Sequence, residues 1–413
     1  MTRRVLIVSY YFPPLGLAGV TRPVQLFSRL AHYGYECDLL TVKPVAYFAY
    51  EPELLIGLDQ TRIHRAGSYD PQRIMYVCGI RTLPATSHAA SAQIATSIFP
   101  DSKRGWIGPA VRLGTKLVRR RGIDIVLSTS PPISAHVVAR RIVAKTDTKW
   151  VADFRDLWTT MPIEDSYRSG ERIERGKRLL TEIQKSATTI TAVNRSVADY
   201  VGAKTVITNG YDPENAHQWS SQPELRGFVI GLLGTFNELL PVEPLLKCLM
   251  KVREKSPAAF ARIRLLQVGR VDRAWLPAQL KAYGLDESCE IMGLQSRTRS
   301  VELLNAASMF YLGVKRGWGD RITTARIYDL LASGRPILAY AEKMSEISTV
   351  LSAAPNSMTF TEDTLGNASE YVADLIERQS KMQLMLNPIP GYADAYSWEN
   401  IAAQFAALFD RIV

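Results

Sequence analysis

The sequence predicts an α/β protein made of two doubly wound, Rossmann-like domains facing each other across a cleft. Two observations carry this expectation. Short β-branched runs alternate with helical periods along the whole chain. That alternation breaks once, at "NGYDPENAHQWSSQPELRG" (209–227), a segment rich in Asn, Pro and Ser that reads as a linker. A length of 413 residues suits two domains. The expected boundaries are 1–208 for the first domain, 228–396 for the second, and 397–413 for a final helix that returns to the first.

The first series of strands runs Val5–Ser9, Cys37–Thr41, Ile123–Ser128, Trp150–Asp153, Thr189–Ala192 and Lys204–Ile207. Helical patterns at Thr21–Tyr33 and Ser134–Lys145 separate them. The second series is Phe228–Leu233, Arg264–Val268, Glu290–Met292, Met309–Leu312 and Ile337–Tyr340. In the final segment Trp398, Ile401, Phe405, Leu408 and Ile412 form one helical stripe behind a Ser397 cap. Ligands of such sheets sit at the carboxyl ends of the strands, so the cleft between domains is the expected site.

Composition bounds the chemistry. Apolar residues make up 46% of the chain and charged residues 22%, a globular balance with material for two cores. Cys37, Cys78, Cys248 and Cys289 are far apart, which speaks against a metal cluster or disulfide scaffold and for a reducing compartment. The apolar run in "MTRRVLIVSYYFPP" is about five residues, too short for the signal-peptide core of about 7–15, and reads as a buried first strand. No stretch approaches the roughly 18 apolar residues of a membrane span. A net charge of +10 suits anionic partners such as nucleotide phosphates or an acidic lipid surface. No nucleic-acid motif accompanies it.

The most informative stretch is "TTARIYDLLASGRPILAY" (323–340). Thr323 or Thr324 can cap a helix, and a helix start suits phosphate. Arg326 and Asp329 stand three apart and share a face. Asp329 lies about 7–9 Å along the axis from the cap, at roughly 1.5 Å per residue. That spacing suits a nucleotide clamp, with phosphate at the helix start and ribose on Asp329. A surface ion pair is the competing reading.

Four further segments bear on chemistry. In "SYYFPPLGLAGVTRP" a strand leads through Gly16 and Gly19 into a helix carrying Arg22, and glycine permits close backbone approach. The pattern is not GxGxxG, which disfavours hydride transfer. In "VLSTSPPISAHVVA" Ser130 ends a strand and His136 lies on the next helix, as a packing residue or a ligand contact. In "WVADFRDLWTTMP" Asp153, Arg155, Asp156 and Trp158 follow a strand. Either Arg155 bridges two carboxylates, or the group lines a sugar pocket on which Trp158 stacks. The segment 101–122 sets Lys103, Arg104, Arg112, Lys116 and Arg119–Arg121 around Trp106, Ile107, Val111, Leu117 and Val118. It is a domain helix with a solvated basic face, or a helix lying on an anionic membrane. HExxH, GxSxG and Asp-x-Asp are all absent, so no metal is expected.

Together these segments resemble the glycosyltransferase family 4 group of GT-B enzymes, of the bacterial polysaccharide and amino-sugar transferase type. The matching stretches include "VLIVSYYFPPLGLAGVTR", "FPDSKRGW", "STSPPISAH", "ADFRDLW", "GLLGTFNELLPVEPLLKCL" and "ARIYDLLASGRPILA", spanning almost the whole chain in family order. The resemblance implies a cytoplasmic enzyme, possible at the inner membrane face, that uses a nucleotide-diphosphate sugar, retains anomeric configuration and needs no metal or other cofactor. It places the donor in the second domain and a glycan or lipid-linked acceptor mainly in the first. Asp329 then takes the place of the family's ribose-binding glutamate, Arg326 that of a lysine, Thr323 and Thr324 the phosphate position, and Gly16 and Gly19 the glycine loop. The chain departs from the family in two ways. Arg321, beside Asp320, stands where the first glutamate of the pair belongs. Thr235 follows Gly234 where basic residues are usual. Lys315, Arg316, Arg321 and Arg326 are therefore the candidates to meet the diphosphate charge. Arg321, Arg326 and Asp156 are the candidate catalytic residues, and Ser130, His136, Asp153, Arg155 and Trp158 the candidate acceptor contacts. A binding or scaffold protein with weakened donor chemistry and a nucleotide-sugar epimerase are the alternatives.

Overall fold

A computed structural model describes residues 2–16, 18–83, 98–157, 170–219, 227–271, 274–317, 324–384 and 391–413. The chain forms two compact units, Met1–Asn209 with Trp398–Val413, and Gly210–Ser397.

The first unit is built on seven strands: β1 Arg3–Val8, β2 Tyr35–Val42, β3 Ile63–Ala66, β4 Ile125–Ser130, β5 Lys149–Phe154, β6 Thr189–Ala192 and β7 Thr205–Val206. They are ordered β3-β2-β1-β4-β5-β6-β7, and every pairing is parallel. Both faces are covered, so the strands read as continuous apolar runs. Alternate residues feed opposite cores: Leu6 and Val8 of β1 pack under helices Arg104–Arg121 and Ser134–Val143, while Val5 and Ile7 face the last helix, Trp398–Asp410. Trp398, Ile401, Phe405 and Leu408 of the predicted stripe are buried there.

The second unit has six strands: β8 Phe228–Leu233, β9 Ile263–Val268, β10 Cys289–Ile291, β11 Met309–Gly313, β12 Ile337–Tyr340 and β13 Met358–Phe360. Their order is β10-β9-β8-β11-β12-β13, again all parallel. Each unit thus carries a doubly wound sheet whose strand order reverses between β1 and β4, and between β8 and β11, the switch points where such sheets bind ligands.

Edge strands β3 and β13 escape the sequence reading. "IHRA" carries two charged or polar residues in four, and "MTF" has three residues, so neither shows an apolar run. The helix expected over Thr21–Tyr33 is α-helical to Arg29, tightens to a 3-10 turn over Leu30–Tyr33 and stops at Gly34 in the left-handed region. The segment read as a linker is not slack in its described part. Tyr211, Ala216 and Trp219 are buried in the second unit's core.

The segment 101–122 contains the helix Arg104–Arg121, a domain helix with a solvated basic face. Trp106, Ile107, Ala110, Val111, Leu117 and Val118 are buried against the sheet, so its apolar stripe is used up inside the unit. Only the basic face meets solvent. Among the described residues no helix is long and apolar enough to cross a membrane.

Candidate functional site

In the second unit, the ends of β8 and β9 are two glycine turns in contact. Gly234 has φ +97° and Gly269 φ +140°, a region that favours glycine. A Cβ on Gly269 would lie 2.6 Å from the Gly234 Cα and carbonyl oxygen. The Gly234 N–H donates to the Val268 carbonyl at 2.7 Å, and Gln267 Nε2 donates to the Gly234 carbonyl at 3.1 Å. Close-packed bare backbone results at the end of β8, beside the switch point.

Arg326 opens the helix Arg326–Ala332, and its guanidinium lies over the end of β8. It donates to the Leu233 carbonyl and, at 3.4 Å, to the Thr235 carbonyl, and sits 5.6 Å from the Phe236 ring. A Cβ on Gly234 would meet its Nη1 at 2.5 Å. The positive charge absent from the residues after β8 is thus delivered there by a different element. Burial lowers the Arg326 pKa to about 10, which leaves it charged at neutral pH.

Asp329 lies one turn further on, with a third of its side chain exposed, and accepts from Arg297 Nη2 at 2.8 Å. Desolvation raises its carboxyl above the usual range, and Arg297 opposes the rise. A cavity of about 110 Å³ beside it is lined by Trp219, Leu233, Val301 and Leu304. The competing reading of an Arg326–Asp329 surface pair is overturned, since Arg326 binds the β8 end and Asp329 binds Arg297. The cap expectation is corrected as well. Ala325 is the N-cap with no side-chain hydrogen bond, and the Thr324 hydroxyl is buried without a partner among the described residues. Lys315 and Arg316 are exposed just beyond β11, where the Lys315 N–H donates to the Leu239 carbonyl at 2.9 Å. Arg321 and Thr323 lie outside the described residues. Arg297, which holds Asp329, was missed by the sequence reading.

In the first unit, Asp153 is fully buried and grips Arg22. Its oxygens accept from Arg22 Nη2 at 2.8 Å and Nε at 2.9 Å, from Thr129 at 2.7 Å and from Thr191 at 2.9 Å. Burial alone would raise its carboxyl, but Arg22 and the two hydroxyls outweigh that and hold it below the ordinary range. Arg22 also donates to the carbonyls of Ile207 and Thr208. Asp153 is therefore a core ion pair and not a pocket lining, because its side chain is fully buried and its oxygens are taken by Arg22, Thr129 and Thr191.

Among the described residues Arg155 makes no ion pair with Asp153 or Asp156. It donates to the carbonyls of Ser130 at 2.7 Å, Gly19 at 3.0 Å and Pro131 at 3.3 Å, tying the glycine loop to the end of β4. Ser130 is buried beneath it. The neighbouring Asp156 is exposed. A Cβ on Gly16 would meet the Glu51 carboxylate at 2.4 Å, so the first glycine of that loop accommodates an acidic side chain.

His136 is wholly buried, with Nδ1 2.7 Å from the Ser128 hydroxyl and its ring 4.3 Å from Phe154. The same hydroxyl accepts from Trp150 Nε1 at 2.8 Å. Burial pushes the His136 pKa down to about 3, so it is a neutral core histidine. Trp158 lies outside the described residues. The half-buried rings of Tyr11 and Tyr47, 5.7 Å apart beyond β1 and β2, were missed by the sequence reading. Single aromatics in loops carry no periodic signal.

No family model matches the sequence, and no curated protein does. Solved structures do. Sucrose-phosphate synthase (tll1590) from Thermosynechococcus elongatus is similar with TM-score 0.66 at 12% identity, covering 99% of each chain. Anabaena Alr3699/HepE, solved in complex with UDP-glucose, has TM-score 0.63 at 13% identity over 99% of each chain. A glycosyltransferase from Rickettsia africae ESF-5 has TM-score 0.61 at 11% identity, covering 100% of this chain and 98% of that one. At these identities the likeness is one of fold, and the fold is GT-B.

Proposed function

We propose that the protein is a retaining glycosyltransferase, family 4-like, that moves a hexosyl-type sugar from a nucleotide diphosphate to a glycan or lipid-linked acceptor in surface polysaccharide or glycoconjugate synthesis. One observation carries this reading. The Arg326 guanidinium sits over touching glycine turns beside the switch point of the second sheet, one helical turn from a carboxylate that Arg297 holds in place. Bare backbone and a fixed cation suit a diphosphate, and a half-open carboxylate suits ribose hydroxyls. Alr3699/HepE, a neighbour of this fold solved in complex with UDP-glucose, supports the same reading.

In this scheme the donor lies on the second unit, with Thr235, Lys315, Arg316, Arg326 and Asp329 around it, and Arg321, Thr323 and Thr324 close by in sequence. The carbon–oxygen bond to the leaving diphosphate breaks as the acceptor hydroxyl attacks the same face. The leaving phosphate oxygen takes the acceptor proton. Fixed cations stabilise the charge developing on that diphosphate, the electrostatic mode that usually dominates catalysis, so no metal is required. Asp156 and Arg155, at the carboxyl end of β5, are placed with the acceptor.

Asp329→Ala tests the reading. Calorimetry with UDP and GDP is expected to show at least about tenfold weaker nucleotide binding, the loss of one charged hydrogen bond of about 1.5–3 kcal/mol. Unchanged affinity removes Asp329 from the site. A second reading, a nucleotide-sugar-binding scaffold, draws on the Arg297 pair, which occupies one oxygen of Asp329. Incubation with nucleotide sugars and acceptor extracts separates them, since a scaffold releases no UDP or GDP.

A further inference from the structure

The first unit carries two adjoining cavities, of about 410 and 520 Å³, that the proposed reaction does not use. They share Arg104 and Gly108 and are lined by arginines from three helices. Arg104 and Arg112 come from Arg104–Arg121, Arg140 and Arg141 from Ser134–Val143, and Arg175 and Arg178 from Gly170–Ser186.

The placement follows from helical spacing. Arg104, Gly108 and Arg112 stand four apart and fall on one stripe, and Arg175 and Arg178 stand three apart on another. Gly108 has open space where a Cβ would stand, so the floor between its flanking arginines is clear.

The charge is compensated only in part. The one carboxylate lining the larger cavity is Glu182, taken by Arg140 at 2.8 Å. In the smaller it is Asp70, which accepts from the Tyr10 hydroxyl at 2.7 Å, from Ser68 and from the Arg73 N–H at 2.9 Å. Among the described residues the side chains of Arg104, Arg112, Arg141 and Arg178 make no hydrogen bond or ion pair, although Arg178 is near enough to Glu174 to help hold its carboxyl below the ordinary range. Arg175 lies on the Phe99 ring at 4.4 Å, which fixes its guanidinium plane. Like charges gathered this way repel, and an anion removes the repulsion. All six are arginines, whose planar fork binds phosphate oxygens two at a time. A volume of 520 Å³ is that of a pocket for a discrete molecule.

We propose that this arginine groove binds a phosphate-bearing ligand of the diphosphate-ester class, with Arg141, Arg175 and Arg178 around one phosphate and Arg104 shared between the two cavities. The site stands independently of the transferase reading, because Asp329→Ala leaves it intact.

The probe is inorganic pyrophosphate, titrated calorimetrically into the full chain. Arg175→Ala/Arg178→Ala and, from another helix, Arg141→Ala are expected to weaken binding at least about tenfold, while Lys185→Ala, charge-matched to Arg141→Ala, leaves it unchanged. These side chains are exposed, and circular dichroism checks that the variants fold. Equal affinity in wild type and both groove variants, an equal loss in Lys185→Ala, or no binding at all overturns the proposal. Sedimentation with phosphatidylcholine vesicles, with and without phosphatidic acid, assigns the source of the phosphate. Phosphatidic acid-dependent binding lost in the groove variants points to a lipid headgroup, and its absence to a soluble ester. Vesicle binding without pyrophosphate binding overturns the discrete site.

Discussion

At the scale of single residues, two buried polar groups decide how the first unit responds to change. Asp153→Asn leaves Arg22 charged in a core with its counter-ion gone, and a loss of about 3–5 kcal/mol is expected in urea unfolding. His136 gives a pH signature. Its pKa falls from about 6.5 in an unfolded chain to about 3 in the folded one. The unfolded state therefore binds one more proton between those values. Stability falls by up to about 1.4 kcal/mol for each unit that pH drops below about 6.5. His136→Leu removes that slope, which unfolding midpoints from pH 7 to 4 read directly. The sequence showed a histidine on a helix behind a strand and left packing and contact as alternatives. Burial on every side settles it, and burial is a property of the assembled core.

The helix Arg104–Arg121 shows how an element is fitted to its neighbours. Pro109 lies inside it and has no N–H for the Gly105 carbonyl. That carbonyl accepts instead from the Tyr69 N–H at 3.2 Å, so the loop before Asp70 supplies the missing bond. The same approach requires a glycine: a Cβ at position 105 would lie 2.5 Å from the Asp70 nitrogen, whereas one at 108 meets open space. Gly105→Ala is expected to destabilise by about 1–3 kcal/mol. Gly108→Ala is expected to be neutral or to stabilise by up to about 1 kcal/mol. Thermal unfolding of the two variants separates these outcomes. From the sequence alone the two glycines look equivalent, and the amphipathic stripe looked free to meet a membrane. The positions of the central strands were legible because both of their faces are covered and they read as apolar runs. β3 and β13 escaped because a run of four with two polar residues and a run of three carry too little apolar signal.

For the whole molecule, the chain leaves the first unit at Asn209 and returns at Trp398. The returning helix covers Val5, Ile7, Phe12 and Phe27 and closes ion pairs Arg3–Asp410 and Arg29–Glu399. A chain ending at residue 397 is expected to lose the cooperative unfolding of the first unit and to bind hydrophobic dye, which calorimetry and fluorescence check. The periodic pattern of apolar residues by itself determined that there are two parallel sheets and that the last helix has one apolar face, because strand and helix periods are local. It also marked Arg326 and Asp329, since their spacing is local too. Which partner each charge takes was decided only in three dimensions: Arg326 on the end of β8, Asp329 with Arg297, Asp153 with Arg22, and six arginines of three helices around one groove. Pairings between residues far apart in the chain, 131 positions for Arg22 and Asp153 and 407 for Arg3 and Asp410, leave no trace in a local pattern, because they are set by how the elements lie side by side.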